Sequence, residues 1–179
     1  MDFRRHALIL EVIEQLKKNG SWTGKTHIQK SMFLVHEATS VDVPFDFVLY
    51  KHGPYSFDIE SELEEMRSYS AIAVQPVAGY GVQIAPGDNV KTLNKLATLT
   101  LAEKAEIARI VEFVGDKDVS ELERIATAVW IRQRKHITDS QGVAACLNEL
   151  KPHVSIEDAL EADGLVTEYL MPKSATLAA

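Results

Sequence analysis

Apolar residues recur at helical spacing through the first stretch of the chain. Over residues 3–18, Ile9, Val12, Ile13 and Leu16 fall on one face, and Gly20 stands just past the end as a stop. The same period predicts a second helix from about Lys25 to Ala38, with Ile28, Met32 and Val35 inward. The pattern then shortens. "FVLY" reads as a brief strand bounded by Pro44 and by Gly53-Pro54. Ser56 is a candidate N-cap for a third helix over Phe57–Ser68, with Ile59, Leu63 and Met66 inward. In "AIAVQPVAGYGVQIA", Ile72 and Val74 alternate before the turn "GYG", and Val82 and Ile84 after it, which predicts a β-hairpin.

From Leu93 onward the period is helical again. Thr100 and Glu103 form a capping-box signature ahead of Ile107, Ile110, Val111 and Val114, with Gly115 as the stop. Ser120 and Glu123 repeat the signature ahead of Leu122, Ile125, Ala126, Val129 and Trp130. A helix from about Gln141 to Leu150 is closed by Pro152, and Ser155 with Asp158 opens a last one. The expected fold is mainly α with a small β-hairpin, an α+β arrangement. Three helices, a short strand and a hairpin follow the order of a winged helix-turn-helix. Residues 1–90 would form that module, residues 91–170 a C-terminal helical bundle packed on it as one domain, and residues 171–179 a loose tail.

Composition narrows the setting. With 179 residues, 46% hydrophobic and 25% charged, the chain has the balance of an ordinary globular domain. A single cysteine, Cys146, cannot pair within the chain, which points to a reducing compartment. Apolar runs fall short of the roughly 20 residues that span a bilayer, and Glu11 and Glu14 interrupt the N-terminal apolar stretch as a signal peptide would not. A cytoplasmic protein without membrane contact is expected. The formal net charge of −7 opposes non-specific affinity for nucleic acid.

Candidate chemistry is sparse. "GSWTGKT" looks like a phosphate-binding loop, but Gly20 and Gly24 are separated by three residues where that loop needs four, and a helix precedes it where a strand should. A helix–helix connection fits better, with Ser21 or Thr23 starting the second helix. The six histidines lack the i,i+4 pairing of helical metal sites, so no metal and no cofactor is expected. Cys146 reads as a partly buried structural thiol. The most unusual stretch is "LYKHGPYSFDIE", where Lys51, His52, Tyr55 and Ser56 surround a Gly-Pro turn that feeds a helix N-terminus, a place that attracts anions. A turn held by Gly53-Pro54 with Tyr55 packed is the simpler account.

The third helix occupies the place of a DNA-reading helix, yet its outward residues are Phe57, Ser61, Glu64, Glu65 and Ser68, flanked by Asp58, Glu60 and Glu62. Base reading calls for Arg, Lys, Asn or Gln on such a face, and carboxylates repel phosphates. DNA is therefore a disfavoured partner. The wing tip "VAGYG" carries no base, and the densest basic cluster, Arg132, Arg134 and Lys135, reads as a solvated helix end.

"KTHIQKSMFLVHEA" followed by "FVLYKHGPYSFDIESELEEM" and a hairpin resembles the YwgA-like and Panacea-domain (SocA-like, phage-associated) proteins. The similarity continues weakly through "SELERIATAVWI" and "LNELKPHVSIEDALEA", and "KHGPYS" is its most specific element. Ile28 and Ser31 depart from the leucines usual around the Q-K pair. The resemblance implies a winged-helix-like module that works through protein–protein contact, as an antitoxin or regulator beside a toxin or defence component. It supplies no catalytic residues. Lys30, Lys51, His52, Gly53, Pro54 and Tyr55 are the positions that match its motif. A DNA-binding regulator, and an enzyme or ligand-binding protein using the His52 turn, are the alternatives.

Overall fold

A computed structural model describes residues 2–79 and 81–171. Its first half runs α1 (Phe3–Lys18), α2 (Lys25–Ala38), β1 (Val48–Tyr50), β2 (Gly53–Tyr55), α3 (Phe57–Ser68), β3 (Ile72–Val77) and β4 (Gly81–Pro86). The second half is helical: α4 (Val90–Leu96), α5 (Leu101–Val114), α6 (Val119–Lys135), α7 (Ser140–Leu150), α8 (Ile156–Leu165) and a π-helical turn over Val166–Leu170. The protein is thus mostly helical with two small antiparallel hairpins. Among the described residues no helix is long and apolar enough to cross a membrane. The expected tail from 172 onward, and Tyr80 in the expected "GYG" turn, lie outside the described residues.

α2 is the axis of the molecule. The periodicity marks one inward stripe, but nine consecutive residues, His27 to Val35, are buried. The reason is coverage from every side, since α1, α5, α6, β2 and β4 all pack on this helix. Phe33, fully buried, meets Phe47 at 5.3 Å and Trp130 at 6.2 Å between ring centroids. Each such buried side chain contributes about 1.5–3 kcal/mol. Polar residues within the run are buried too, and Lys30 and Gln29 find specific partners at the turn described below.

The strand β1 pairs with β2, with Leu49 opposite Pro54, and does not join the second hairpin. β2 is missed by sequence patterning because a three-residue Gly-Pro-Tyr segment reads as a breaker. β3 and β4 form the expected hairpin, with Val74 opposite Ile84. The Ile84 amide donates to the Thr23 carbonyl at 3.0 Å, which fixes that hairpin to the loop between α1 and α2.

Three helix caps differ from expectation. α6 opens at Asp118, whose capping box is completed by Glu121, two residues before the Ser120–Glu123 pair that mimics one. α2 is capped by the Gly24 backbone without a side-chain bond from Ser21 or Thr23. Ser56 has N-cap geometry but its hydroxyl caps nothing, and Gln29 instead holds the residue by its backbone, bonding both its amide (3.0 Å) and its carbonyl (2.8 Å). The Thr100–Glu103 box and the Ser155 cap form as read.

The last three helices pack on one another, and a buried ion pair joins them. Arg132 holds the fully buried Asp163 with two bonds, 2.6 and 2.7 Å. Arg134 reaches Glu37 at 2.7 Å and lies over Trp130. Arg132 therefore serves packing, while Arg134 and Lys135 stay exposed at the helix end as expected.

Candidate functional site at the Gly-Pro turn

The turn between β1 and β2 rests on α6 so closely that only glycine fits. Gly53 has φ of +83°, and a Cβ there would stand 3.0 Å from Thr127 Oγ1 and 3.5 Å from the Glu123 carbonyl. Beneath it, Lys30 is 2% exposed and donates to the Pro54 carbonyl at 2.8 Å. Burial, with help from the charge of Lys151, brings the Lys30 ammonium down to about 8, although Glu123 pulls the other way.

The second half of the chain closes this turn from the other side. Lys151, at the end of α7, donates to the carbonyls of Tyr50 (3.2 Å) and Lys51, and stands 3.0 Å from Glu123 Oε1. Glu123 is itself 6% exposed. Its Oε1 makes no well-aligned hydrogen bond, so Lys151 matches its charge without satisfying its geometry. His52 Nδ1 lies 3.4 Å from Oε2, and His153 Nε2 lies 3.8 Å from Oε1. One buried carboxylate thus faces an ammonium and two mostly exposed imidazoles.

A cavity of about 740 Å³ opens here between the turn and α6, with Tyr50, Lys51, His52, Ser120, Glu123 and His153 on its walls. A smaller one, about 240 Å³, shares Tyr50 and His52 with it and is lined by Lys25, Gln29, Lys30, Tyr55 and Glu60. An aromatic cluster stands beside them. Tyr50, Tyr55 and Phe57 have ring centroids 5.1–5.7 Å apart, while Tyr50 and Phe57 are 55% and 58% exposed. The Tyr55 hydroxyl donates to Glu60 at 2.8 Å; burial, reinforced by that bond, pushes the phenol up to about 12. Burial would lift Glu60, but bonds from Lys25 and Tyr55 outweigh it and hold its carboxyl below the usual range. Lys25, the lysine of the loop that imitates a phosphate binder, is therefore committed to Glu60.

The motif positions Lys30, Lys51, His52, Gly53, Pro54 and Tyr55 come together around one turn, with Lys30 as its floor and Lys51 and His52 at its surface. On α3, Phe57, Ser61, Glu64 and Ser68 face outward as expected. Glu65 is only half exposed and turns toward His6, and Glu62 is buried against His6 and Arg5. Glu123, Lys151 and His153 escaped the sequence reading because their meeting depends on tertiary contact. One signal was present: Glu123 shares the apolar stripe of α6 with Leu122 and Ala126, where an acid needs a partner. Cys146 is buried. At the turn, Lys151 occupies the place where a cation would meet Glu123. Among the described residues, metal-capable side chains gather instead at His6, Glu62 and Glu65.

No family model matches the chain, and no curated protein matches it.

Proposed function

We propose that the chain is a non-enzymatic protein-interaction module of antitoxin or regulatory type, cytoplasmic, and related to the YwgA-like and Panacea-domain families. In this reading residues 1–90 form a winged-helix-like unit, with β3–β4 as its wing, and residues 91–170 support it as one domain. The observation that carries the proposal is the exposed aromatic cluster Tyr50–Tyr55–Phe57 at the head of acidic α3. Rigid aromatics at a protein surface are the residues that anchor protein interfaces. The carboxylates beside them favour a partner with a basic surface, through faster encounter.

A photo-reactive phenylalanine analogue placed at Phe57 tests this in cells of the source organism. A discrete cross-linked protein that also co-purifies in fixed ratio, and is lost with Tyr50→Ala, is the expected result. No cross-linked protein, together with nanomolar binding of wild type to a DNA duplex at physiological salt, would replace this reading with the DNA-binding regulator.

A second reading rests on the 740 Å³ cavity, where Glu123, His52 and His153 converge as a ligand or acid–base site would require. It predicts a small molecule that raises the melting temperature of wild type and not of His52→Ala.

A further inference from the structure

α3 is joined to α1 by a compact polar cluster remote from the Gly-Pro turn. His6 is fully buried, and its Nε2 lies 2.6 Å from Glu62 Oε2 and 3.7 Å from Glu65 Oε2. Three ligand atoms, one from each residue, lie within 4.8 Å of one another. Ligands about 2.0–2.1 Å from a tetrahedral zinc ion stand roughly 3.3 Å apart, so a small swing of Glu62 away from the imidazole gives that spacing.

We propose that His6, Glu62 and Glu65 bind a divalent transition-metal ion of the zinc type. Two further contacts favour it. The Tyr69 hydroxyl is 2.9 Å from His6 Nδ1, the outer partner that orients a ligating imidazole. Arg5 bonds Glu62 through Oε1 at 3.1 Å, which leaves Oε2 for the ion. Arg5 also opposes a cation, but Asp58 at 3.3 Å offsets its charge, and the two ligating carboxylates keep the group net negative. An imidazole with two carboxylates suits zinc, manganese or nickel better than calcium or magnesium, which take oxygen ligands. The side chain of Glu65 is 37% exposed, so solvent reaches the cluster from its side.

Without the ion, the imidazole–Glu62 contact holds a proton. On binding, the metal takes Nε2, and the neutral ring carries its proton on Nδ1, donated to the Tyr69 oxygen.

Calorimetric titration of the chelator-treated full chain with zinc chloride, at neutral pH in a non-coordinating buffer, is the test. Saturation at one ion per chain with micromolar or tighter affinity is expected. Glu65→Gln, at a half-exposed position, should keep the fold by circular dichroism and weaken binding at least tenfold. Tyr69→Phe should weaken it about 10- to 100-fold. His52→Ala should leave it unchanged, separating this site from the exposed histidines. Absence of saturation below millimolar zinc, or saturation that Glu65→Gln does not weaken, would reduce the cluster to a buried hydrogen bond.

Discussion

Lys30 gives up hydration to hold one carbonyl. Its ammonium titrates near 8 in the folded chain and near 10.5 when unfolded. Between those values the unfolded chain binds a proton that the folded chain has lost, so the contribution of Lys30 to stability rises with pH from about 8 to about 10.5 and is flat below 8. Tyr55 acts in the opposite sense above 10, since its folded phenol keeps a proton to about 12. Denaturant midpoints of wild type should therefore gain on those of Lys30→Met between pH 8 and pH 10. A pH-independent difference would mean that the ammonium is solvated. Gly53→Ala should cost about 1–3 kcal/mol, from positive φ and the close approach of Thr127, read as a lower melting temperature. The glycine and lysine were visible as motif letters. Their partners Glu123 and Lys151 were not, because no local pattern connects positions so far apart in sequence.

The helices show where local patterns suffice. α1, α2 and α3 begin and end at the residues their periodicity and their Gly, Pro and Ser boundaries predict. α6 starts two residues earlier than its pattern predicts, because Ser120 and Glu123 imitate a capping box that Asp118 and Glu121 make. The distinction is measurable. Asp118→Ala should cost about 1 kcal/mol and Ser120→Ala less than about 0.5 kcal/mol in chemical denaturation. Equal costs would return the cap to Ser120. On α3, burial of Glu62 and the turning of Glu65 toward His6 split an acidic run that looks uniform in sequence. Period alone cannot tell an acid at a helix edge from one facing solvent when a basic residue on another helix awaits it.

At the scale of the molecule, ion pairs join the two halves, as Arg134 does at Glu37 and Lys104 at Glu11, and a buried pair ties α6 to α8 within the second half. Removing Arg132 would leave Asp163 buried and unpaired. Arg132→Met should cost about 3–5 kcal/mol by calorimetry or denaturation, and adding Asp163→Asn should recover part of it. With a net charge of −7 and an acidic α3, duplex DNA should bind more weakly than about 10⁻⁵ M at physiological salt in a fluorescence titration. Assembly of two halves around α2 was legible only as a helix count, since packing partners follow from shape and not from spacing. The bond from Lys151 to the Lys51 carbonyl spans 100 residues. During synthesis at about 5–20 residues per second, the exposed aromatic turn leaves the ribosome roughly 5–20 s before the lysine that braces it. A nascent chain therefore displays this surface without its support, and a partner that requires the braced form would recognise only chains whose translation has passed α7.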